Sequence, residues 1–413
     1  MLNSSNATTH HTNGLQNHRA VTALIGLTGN FDVKGGNPLV KPAYLHMTSG
    51  MVTLEDEFEQ SRPWNEMVPR VGQDAHPAWC RVVAEAQAMH IPLQINSGQP
   101  YPLRAMLAFG LNYRMWPGQD VMKASLQKLD FLVDVDLFMT DSAKLADVVL
   151  PACTSFERSE IKFYPQKYLI WTQPVMRPLW ESRPDSQIIY DLAKRIAPDD
   201  TLMQQGYEAS VDWILQPTGL TVGQLKQYPA GYAVKDVKMP PFRKYEKQGF
   251  KTPSGKMEFT STILAELGYD ALPTYREPRL SPHSAPEIAE RFPLILTTGA
   301  RLPMFIHSRC FRLEWMRSLR RDPMVDLNPA DARDRAIAQD DWVLLSTPRN
   351  SIRVRANLTE MVPPGVVSMY HDYPEASVNR LVEPDYRDPI SGYPGFKSLL
   401  CQIKAVPDAE ATS

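Results

Sequence analysis

Short apolar segments alternate with an amphipathic helix between residues 103 and 150, and this alternation constrains the fold more than any other feature of the chain. Apolar runs occupy residues 103–109, 131–135 and 148–150, and residues 121–129 have apolar positions at helical spacing. Strands that alternate with helices in this way form parallel sheets with both faces covered. We therefore predict an α/β domain over residues 101–215, which also contains a helix over residues 187–197.

Polar residues follow the ends of the first two predicted strands. Gly110 and Asn112 come directly after the first run, and Asp136 ends the second. Ligands bind to open α/β sheets at the carboxyl ends of the strands, so these three residues are candidates for a binding site. A glycine after a strand is also an ordinary turn residue, and an aspartate there is commonly a turn or capping residue. The sequence alone leaves both interpretations open.

The last third of the chain has a different pattern, with short strands and little helix. One helix begins at the Asn328–Pro329 pair, and strand-like runs occupy residues 294–298, 324–327, 342–346, 352–356 and 366–369. This spacing is typical of a closed β-barrel, which we predict over residues 291–413. The proline-rich segment 216–290 is predicted to be an ordered connector with little regular structure.

Residues 1–100 have a weaker pattern than the rest of the chain. Apolar residues at helical spacing predict one helix over residues 17–27 and another over residues 79–90. Gly29 and Asn30 are expected to end the first helix. Prolines, tryptophans and acidic residues are otherwise scattered over residues 37–100, which indicates an irregular surface segment.

Composition excludes several classes of function. The 413 residues are 43% hydrophobic and 22% charged, which is typical of two or three soluble domains. Lys and Arg number 44 against 46 for Asp and Glu, so no basic field is available to attract nucleic acid. The sequence has neither a signal-peptide stretch nor an apolar segment of about 20 residues, so we expect no direct membrane insertion. The four cysteines are far apart, which predicts reduced thiols in a cytoplasmic protein.

Several segments resemble the dimethyl sulfoxide reductase family of molybdopterin oxidoreductases. FLVDVDLFMTDSAKLADVVLPACTSFE (131–157) resembles the family's strand ending on Asp, its Thr-containing turn and its A-D-V-V-L-P strand leading to Glu. The other segments follow in the family's order: LTGNFDVKGGN (27–37), GFKTPSGKMEF (249–259), TTGARLPMFIHS (297–308), NPADARDRAIAQDDWVLLST (328–347) and DPISGYPGFKS (388–398). The connector segment and YDALPTYREP (269–278) look closest to the branch of acetylene hydratase and the catechol dehydroxylases, which does not define a substrate.

The resemblance implies a parallel-sheet dinucleotide-binding region followed by a double-psi-like molybdopterin dinucleotide-binding barrel. Molybdopterin guanine dinucleotide requires glycine turns, a carboxylate for guanine, and hydroxyls or cations near phosphate. In this chain Gly110 would let the backbone approach the ligand, and Asn112 would form hydrogen bonds with an edge of the ligand. Asp136 would accept hydrogen bonds from the N–H groups of guanine. The corresponding contacts in the barrel are Thr298, Gly299, Arg301, His307, Ser308, Asn379 and Lys397. No catalytic residue and no protein ligand to the metal is assigned.

Other interpretations remain open for several of these residues. Arg301 also suits a surface ion pair, although this is the minor alternative, and a histidine such as His307 is more often a hydrogen-bonded structural residue than a ligand. His10 and His11 resemble the family's polar stretch near the active centre, but in a frayed N-terminus they would be solvated. The acidic residues Asp147 and Glu157 suit either a carboxylate pair or structural caps.

The resemblance also implies partners. In the family, the cysteine-rich segment for a 4Fe–4S cluster and the metal ligand precede the region that resembles this chain. We therefore expect an N-terminal half or subunit that carries both, with residues 1–100 as the end of a cofactor-binding α/β domain plus an irregular segment. Together they would hold a bis-molybdopterin guanine dinucleotide centre with molybdenum or tungsten, for two-electron redox or oxygen-atom chemistry. An iron–sulfur electron-transfer subunit is a further expected partner. The alternative is a non-catalytic pterin- or nucleotide-binding fragment or cofactor carrier.

Overall fold

Three sheets follow one another along the chain: a parallel sheet, an antiparallel sheet and a closed barrel. The computed structural model describes residues 6–37, 68–83, 85–164, 168–235, 241–305, 309–371 and 373–406. Within these ranges none of the helices combines the length and apolar character that a bilayer span requires.

The N-terminal region is helical. It contains α1 (Asn6–Thr9), α2 (Gly14–Leu27), α3 (Pro77–Val83) and α4 (Ile91–Ser97). The helix expected over residues 17–27 is present as α2. The single helix expected over residues 79–90 is wrong, because α3 ends at Val83 and a separate 3-10 turn, Ala88–His90, precedes α4. The Gln87 side chain accepts from the N–H of Met89 at 3.0 Å and so starts this new turn.

The parallel sheet confirms the α/β prediction. Its strands lie in the order β1 (Ala105–Phe109), β2 (Phe131–Asp136) and β3 (Val148–Pro151). One face is covered by α4 and by α5 (Gln119–Leu126). Met122 and Leu126 of α5 are buried in one cluster with Leu132 of β2, against which Met106 of β1 packs. Helices thus cover this face, as expected of a parallel sheet.

The opposite face of the parallel sheet is exposed. Leu107 pairs with Val133, which pairs in turn with Val148, so these residues share a face that points away from Met106 and its cluster. Leu107 is 43% exposed, Phe131 46% and Val148 39%. Parallel sheets normally bury both faces, so this apolar surface, which we call the open face, is available to a further layer.

The antiparallel sheet forms a unit with its own core. It contains β4 (Glu160–Tyr164), β5 (Tyr168–Thr172) and β6 (Tyr232–Ala233). Trp171 of β5 is 1% exposed and packs with Val211 and Leu215. The helices of this unit are α6 (Asp185–Ile196), α7 (Thr201–Gln205), α8 (Tyr207–Leu215) and α9 (Val222–Leu225). Because β6 pairs with β5, the first part of the predicted 216–290 connector packs here as regular structure.

The connector proper is mostly irregular and leads into the barrel. It carries the short helices α10 (Tyr245–Gln248), α11 (Thr262–Glu266) and α12 (Pro286–Ala289). Arg19 of α2 donates to the carbonyl oxygens of Phe259 at 3.1 Å and Ala271 at 2.7 Å. The connector is therefore fixed to the N-terminal helices by hydrogen bonds.

The C-terminal barrel is closed, as predicted. Its strands are β7 (Leu294–Thr297), β8 (Met324–Leu327), β9 (Trp342–Ser346), β10 (Ser351–Leu358), β11 (Val366–Met369) and β12 (Leu399–Ala405), joined in the order β10–β8–β11–β7–β12–β9. The helices α13 (Glu314–Arg317) and α14 (Pro329–Arg333) lie between strands. Alternate residues such as Leu296, Val325 and Leu345 are fully buried inside it. The sequence pattern missed β12, which pairs with both β7 and β9 and closes the barrel.

Asp388 links the N-terminal helices to the C-terminal domain. Its side chain is fully buried. One carboxylate oxygen accepts from the N–H groups of Ile390 at 2.9 Å and Ser391 at 2.6 Å. The other accepts from the N–H of Leu15 in α2 at 3.1 Å. This carboxylate therefore satisfies three backbone donors that belong to two distant parts of the chain.

We expect Asp388→Ala to lower the free energy of unfolding by about 3 kcal/mol or more, because buried N–H groups lose a charged acceptor. Urea denaturation measures the effect. The control is Asp385→Ala, which removes an exposed carboxylate paired with Arg279 at 3.2 Å and should cost less than about 1 kcal/mol. Equal losses in the two variants would contradict this role of Asp388.

Candidate functional site

A cavity of about 850 Å³ opens between the carboxyl ends of β1 and β2 and the barrel. Its sheet wall includes Gly110, Asn112 and Asp136, the three residues that the sequence pattern selected. Its opposite wall includes Phe311 and Pro374 from the C-terminal domain. A cavity of this size is within the range of ligand sites, roughly 300 to 1,000 Å³.

Gly110 and Asp136 shape the sheet wall in different ways. Gly110 has φ +63°, which favours glycine, and an added Cβ there would meet no atom within 4 Å. Asp136 accepts from the N–H of Leu137 at 2.6 Å and from the hydroxyl of Thr140 at 3.4 Å. It therefore has the turn role that the sequence left open while it also lines the cavity. A carboxylate has about four acceptor positions, so it can still accept from a ligand.

Charged residues that the sequence analysis did not select complete the cavity. Arg114 forms an ion pair with Asp141, and both line the wall. Asp185, the first residue of α6, also lines it, and its buried Oδ1 accepts no hydrogen bond from the described residues. A buried acceptor without a partner is costly unless a ligand or water donates to it. Asp185 is thus a position where a ligand N–H group fits.

Arg312 approaches the cavity from the C-terminal domain. It belongs to the 3-10 turn Arg309–Arg312, and its guanidinium carbon lies 5.7 Å from the ring centroid of Phe138. Phe138 lies just beyond β2, so this contact joins the barrel side to the sheet side. An arginine over an aromatic ring presents a flat cationic surface that suits a purine or a phosphate. No regular spacing in the sequence marks Arg312, because its place in the site depends on the domain packing.

A second polar group lies beyond the end of β7. Gly299 has φ +83°, and an added Cβ would lie 3.0 Å from Nδ1 of His10 and 3.1 Å from Cβ of Phe396. The N–H of Lys397 donates to the carbonyl oxygen of His10 at 3.1 Å. Gly299 and Lys397, both predicted as cofactor residues, are thus brought together around His10.

His10 is buried, so the expectation of a solvated, frayed histidine at this position is wrong. It is 6% exposed, and its ring stacks on Tyr393 with 4.7 Å between centroids. Burial, with a smaller contribution from Lys397, lowers the pKa of His10 to about 4. Burial also lowers the pKa of Lys397. Nδ1 of His10 has no hydrogen-bond partner among the described residues, so a neutral imidazole is available there to a ligand.

The side chains of two other predicted barrel residues donate hydrogen bonds to backbone carbonyl oxygens. Thr298 donates its hydroxyl to the carbonyl oxygen of Met369 at 2.8 Å. Asn379 donates its amide to the carbonyl oxygen of Arg114 at 2.6 Å. Both are almost completely buried. The Asn379 bond holds Arg114, a residue of the cavity wall, and direct contact of Thr298 or Asn379 with a cofactor stays a prediction.

The remaining predicted residues are less informative. Arg301 is exposed, and His307 and Ser308 lie outside the described residues. His11 is partly buried, with Nδ1 3.1 Å from the hydroxyl of Ser398. The described ranges contain no group of three or more His, Cys, Asp or Glu residues placed to hold a metal ion.

Asp147 and Glu157 have the structural role that the sequence left as one alternative. Asp147 accepts from the N–H of Leu132 at 2.7 Å. Glu157 accepts from both the N–H and the hydroxyl of Thr154 at 2.7 Å, and from the N–H of Leu179 at 2.7 Å. These bonds, those from Thr154 first, lower the pKa of Glu157. Each carboxylate therefore accepts hydrogen bonds from backbone N–H groups.

Two protein-family models match the chain on either side of the connector. Residues 2–195 match the family described as Molybdopterin oxidoreductase. Residues 294–400 match the Molydopterin dinucleotide binding domain. The sheet wall of the cavity lies in the first region and the barrel wall lies in the second.

Curated relatives agree with these matches. Dopamine dehydroxylase from Eggerthella lenta is 26% identical over 97% of this chain and 48% of its own length. Acetylene hydratase from Syntrophotalea acetylenica is 29% identical over 66% of this chain and 37% of its own length. Dimethyl sulfoxide reductase DmsA from Escherichia coli is 24% identical over 87% of this chain and 46% of its own length. The chain thus spans about half the length of the curated relatives it matches, or less.

The fold is also found in a solved structure. Acetylene hydratase from Pelobacter acetylenicus superposes with a TM-score of 0.82, at 24% identity, over 96% of this chain and 59% of that protein. The similarity therefore extends over almost the whole of this chain. With two domain matches in the order that the resemblance implies, the chain belongs to the molybdopterin oxidoreductases of the dimethyl sulfoxide reductase type.

Proposed function

We propose that this chain binds molybdopterin guanine dinucleotide between its parallel sheet and its barrel, as part of an oxidoreductase for two-electron redox or oxygen-atom chemistry. The observation that carries the proposal is the cavity of about 850 Å³ at the carboxyl ends of β1 and β2, which the C-terminal domain closes on its other side. Parallel sheets bind nucleotides at this edge. The two walls belong to the regions that match the two family models.

The cavity suits the nucleotide end of the cofactor. Guanine presents N–H donors, and Asp185 has a buried oxygen without a donor among the described residues, with Asp136 on the same wall. Arg312 provides positive charge for a phosphate or a flat surface for the base. Gly110 lets the ligand approach the backbone, because no side chain covers it.

The group around His10 suits the pterin end. Gly299 packs directly against His10, because an added Cβ would lie 3.0 Å from Nδ1 of the imidazole. Lys397 supplies a partly buried cation, and neutral His10 supplies one hydrogen bond. We propose Arg301, which is exposed and follows Gly299 by two residues, as a donor to phosphate or pterin oxygen. The metal of the bound cofactor supplies the redox chemistry, while these residues bind and orient the pterin.

We infer that further protein completes the centre. The relatives have about as much additional sequence as this chain matches. We propose that an N-terminal half or subunit supplies the metal ligand, part of the site for a second dinucleotide and a 4Fe–4S cluster. An iron–sulfur electron-transfer subunit is a further proposed partner, and the four free cysteines support a cytoplasmic location. No residue of this chain is proposed as the metal ligand.

The open face is the surface that we propose for this N-terminal part. It is apolar, it belongs to a parallel sheet of which the described residues cover one face, and it lies on the same sheet that forms the cavity wall. A polypeptide that carries the remaining helices of an α/β domain has the matching chemistry, an apolar helical stripe. Docking there would also exclude water from the cavity edge.

The nucleotide proposal predicts that the chain binds GDP and that Asp185→Asn weakens this binding. Loss of one charged acceptor should lower the affinity roughly 10- to 100-fold. Isothermal titration with GDP measures the effect. Asp191→Asn is the matched control, because Asp191 lies on the same helix and pairs with Arg183 at 3.7 Å. No GDP binding by the native chain would overturn the proposal, and equal binding by Asp185→Asn would remove Asp185 from it.

The docking proposal predicts that the isolated chain binds the hydrophobic dye 8-anilinonaphthalene-1-sulfonate on the open face. Leu107→Lys combined with Phe131→Lys should abolish most of the dye fluorescence with little change in melting temperature, because both side chains are already 43% and 46% exposed. Met361→Lys, at a side chain that is 90% exposed elsewhere, is the control. Unchanged dye binding in the double variant would show that the open face is already covered.

A further inference from the structure

Arg317 contacts three residues from two separate segments of the C-terminal domain. Its guanidinium carbon lies 3.8 Å from the ring centroid of Phe311 and 5.0 Å from that of Tyr373. Its Nη2 atom donates to Oε1 of Glu375. Phe311 and Tyr373 also contact each other edge to face, with 5.8 Å between centroids, and both pack against the fully buried Phe305. Arg317 therefore joins the segment at residues 309–312 to the segment at residues 373–375.

These two segments form the C-terminal wall of the cavity. Phe311, Arg312 and Pro374 line it. Pro374 lies between Tyr373 and Glu375, and both of those residues contact Arg317. Arg312 directly follows Phe311, the ring on which Arg317 stacks. The guanidinium of Arg317 thus contacts one lining residue, Phe311, and the neighbours of the other two, while Arg317 itself does not line the cavity.

We propose that Arg317 is a positioning residue for nucleotide binding, which sets Phe311, Arg312 and Pro374 at the distance from the sheet wall that the nucleotide requires. The inference rests on the proposed function. The planar guanidinium is needed because one side chain must stack on a ring and donate to a carboxylate at the same time. A lysine keeps the charge but cannot combine both contacts.

Arg320 provides a matched comparison in the same segment. Its guanidinium carbon lies 5.1 Å from the ring centroid of Tyr370, and it pairs with Asp326 at 3.6 Å. It therefore makes the same two kinds of contact as Arg317. Neither Tyr370 nor Asp326 lines the cavity. Loss of Arg320 should affect the stability of the barrel and leave the cavity wall in place.

The experiment measures GDP affinity and melting temperature for the native chain, Arg317→Met, Arg317→Lys and Arg320→Met. We expect Arg317→Met to lower the affinity for GDP roughly tenfold. The affinity of Arg317→Lys should lie between that of Arg317→Met and that of the native chain. Arg320→Met should bind GDP as the native chain does, even where its melting temperature falls. Equal loss of affinity in Arg317→Met and Arg320→Met would assign the effect to barrel stability and overturn the inference.

A double-mutant cycle with Arg312→Met separates positioning from general stability. If Arg317 acts through Arg312, its substitution should change GDP affinity little once Arg312 is already Met, because coupled residues are not additive. Fully additive effects would contradict the inference. Native binding of GDP with no effect of Arg317→Met would overturn this inference alone, whereas absence of native binding would overturn the proposed function as well.

Discussion

The candidate site depends on the interface between the parallel sheet and the barrel. Asn379 donates to the carbonyl oxygen of Arg114 at 2.6 Å and accepts from the N–H of Gly118 at 2.9 Å through its own carbonyl oxygen. An added Cβ at Gly118 would lie 2.5 Å from Pro384, so the two domains meet there without space for a side chain. Arg349 adds bonds to both oxygens of Asp120, at 2.8 and 3.0 Å. Because these contacts join the cavity walls, the cavity keeps its shape only while they persist.

The cavity combines both signs of charge in a way that suits a ligand with mixed chemistry. Arginines at 114, 158 and 312 and aspartates at 136, 141 and 185 all line it. A simple anion complements only the arginines, and a simple cation complements only the aspartates. A nucleotide has anionic phosphates at one end and N–H donors on its base, so it can meet both sets. The proposed positioning by Arg317 matters for the same reason, since charge-assisted hydrogen bonds depend on distance and angle.

The part of the site on the sheet could be predicted because a local rule places it there. Gly110, Asn112 and Asp136 follow strands whose carboxyl ends must meet at one edge. Asp185 and Arg312 escaped prediction because they reach the cavity from other units through long-range packing. His10 was misjudged for a related reason, since its burial comes from Tyr393 and Phe396, almost four hundred residues away. For Asn379, sequence resemblance selected a residue whose observed contact is with the backbone of the other domain.

The sequence by itself determined the α/β unit, the closed barrel and the family, because apolar periodicity and motif order are local properties of the chain. It also predicted a binding site at the ends of β1 and β2, the edge where the cavity opens. Only the tertiary structure decided that the helix expected over residues 79–90 divides in two, that β12 closes the barrel, and that an apolar sheet face remains open. Tertiary packing likewise decided which charged side chains share the cavity. The physical reason is that burial, ion pairing and the pKa of His10 depend on neighbours that sequence distance does not reveal.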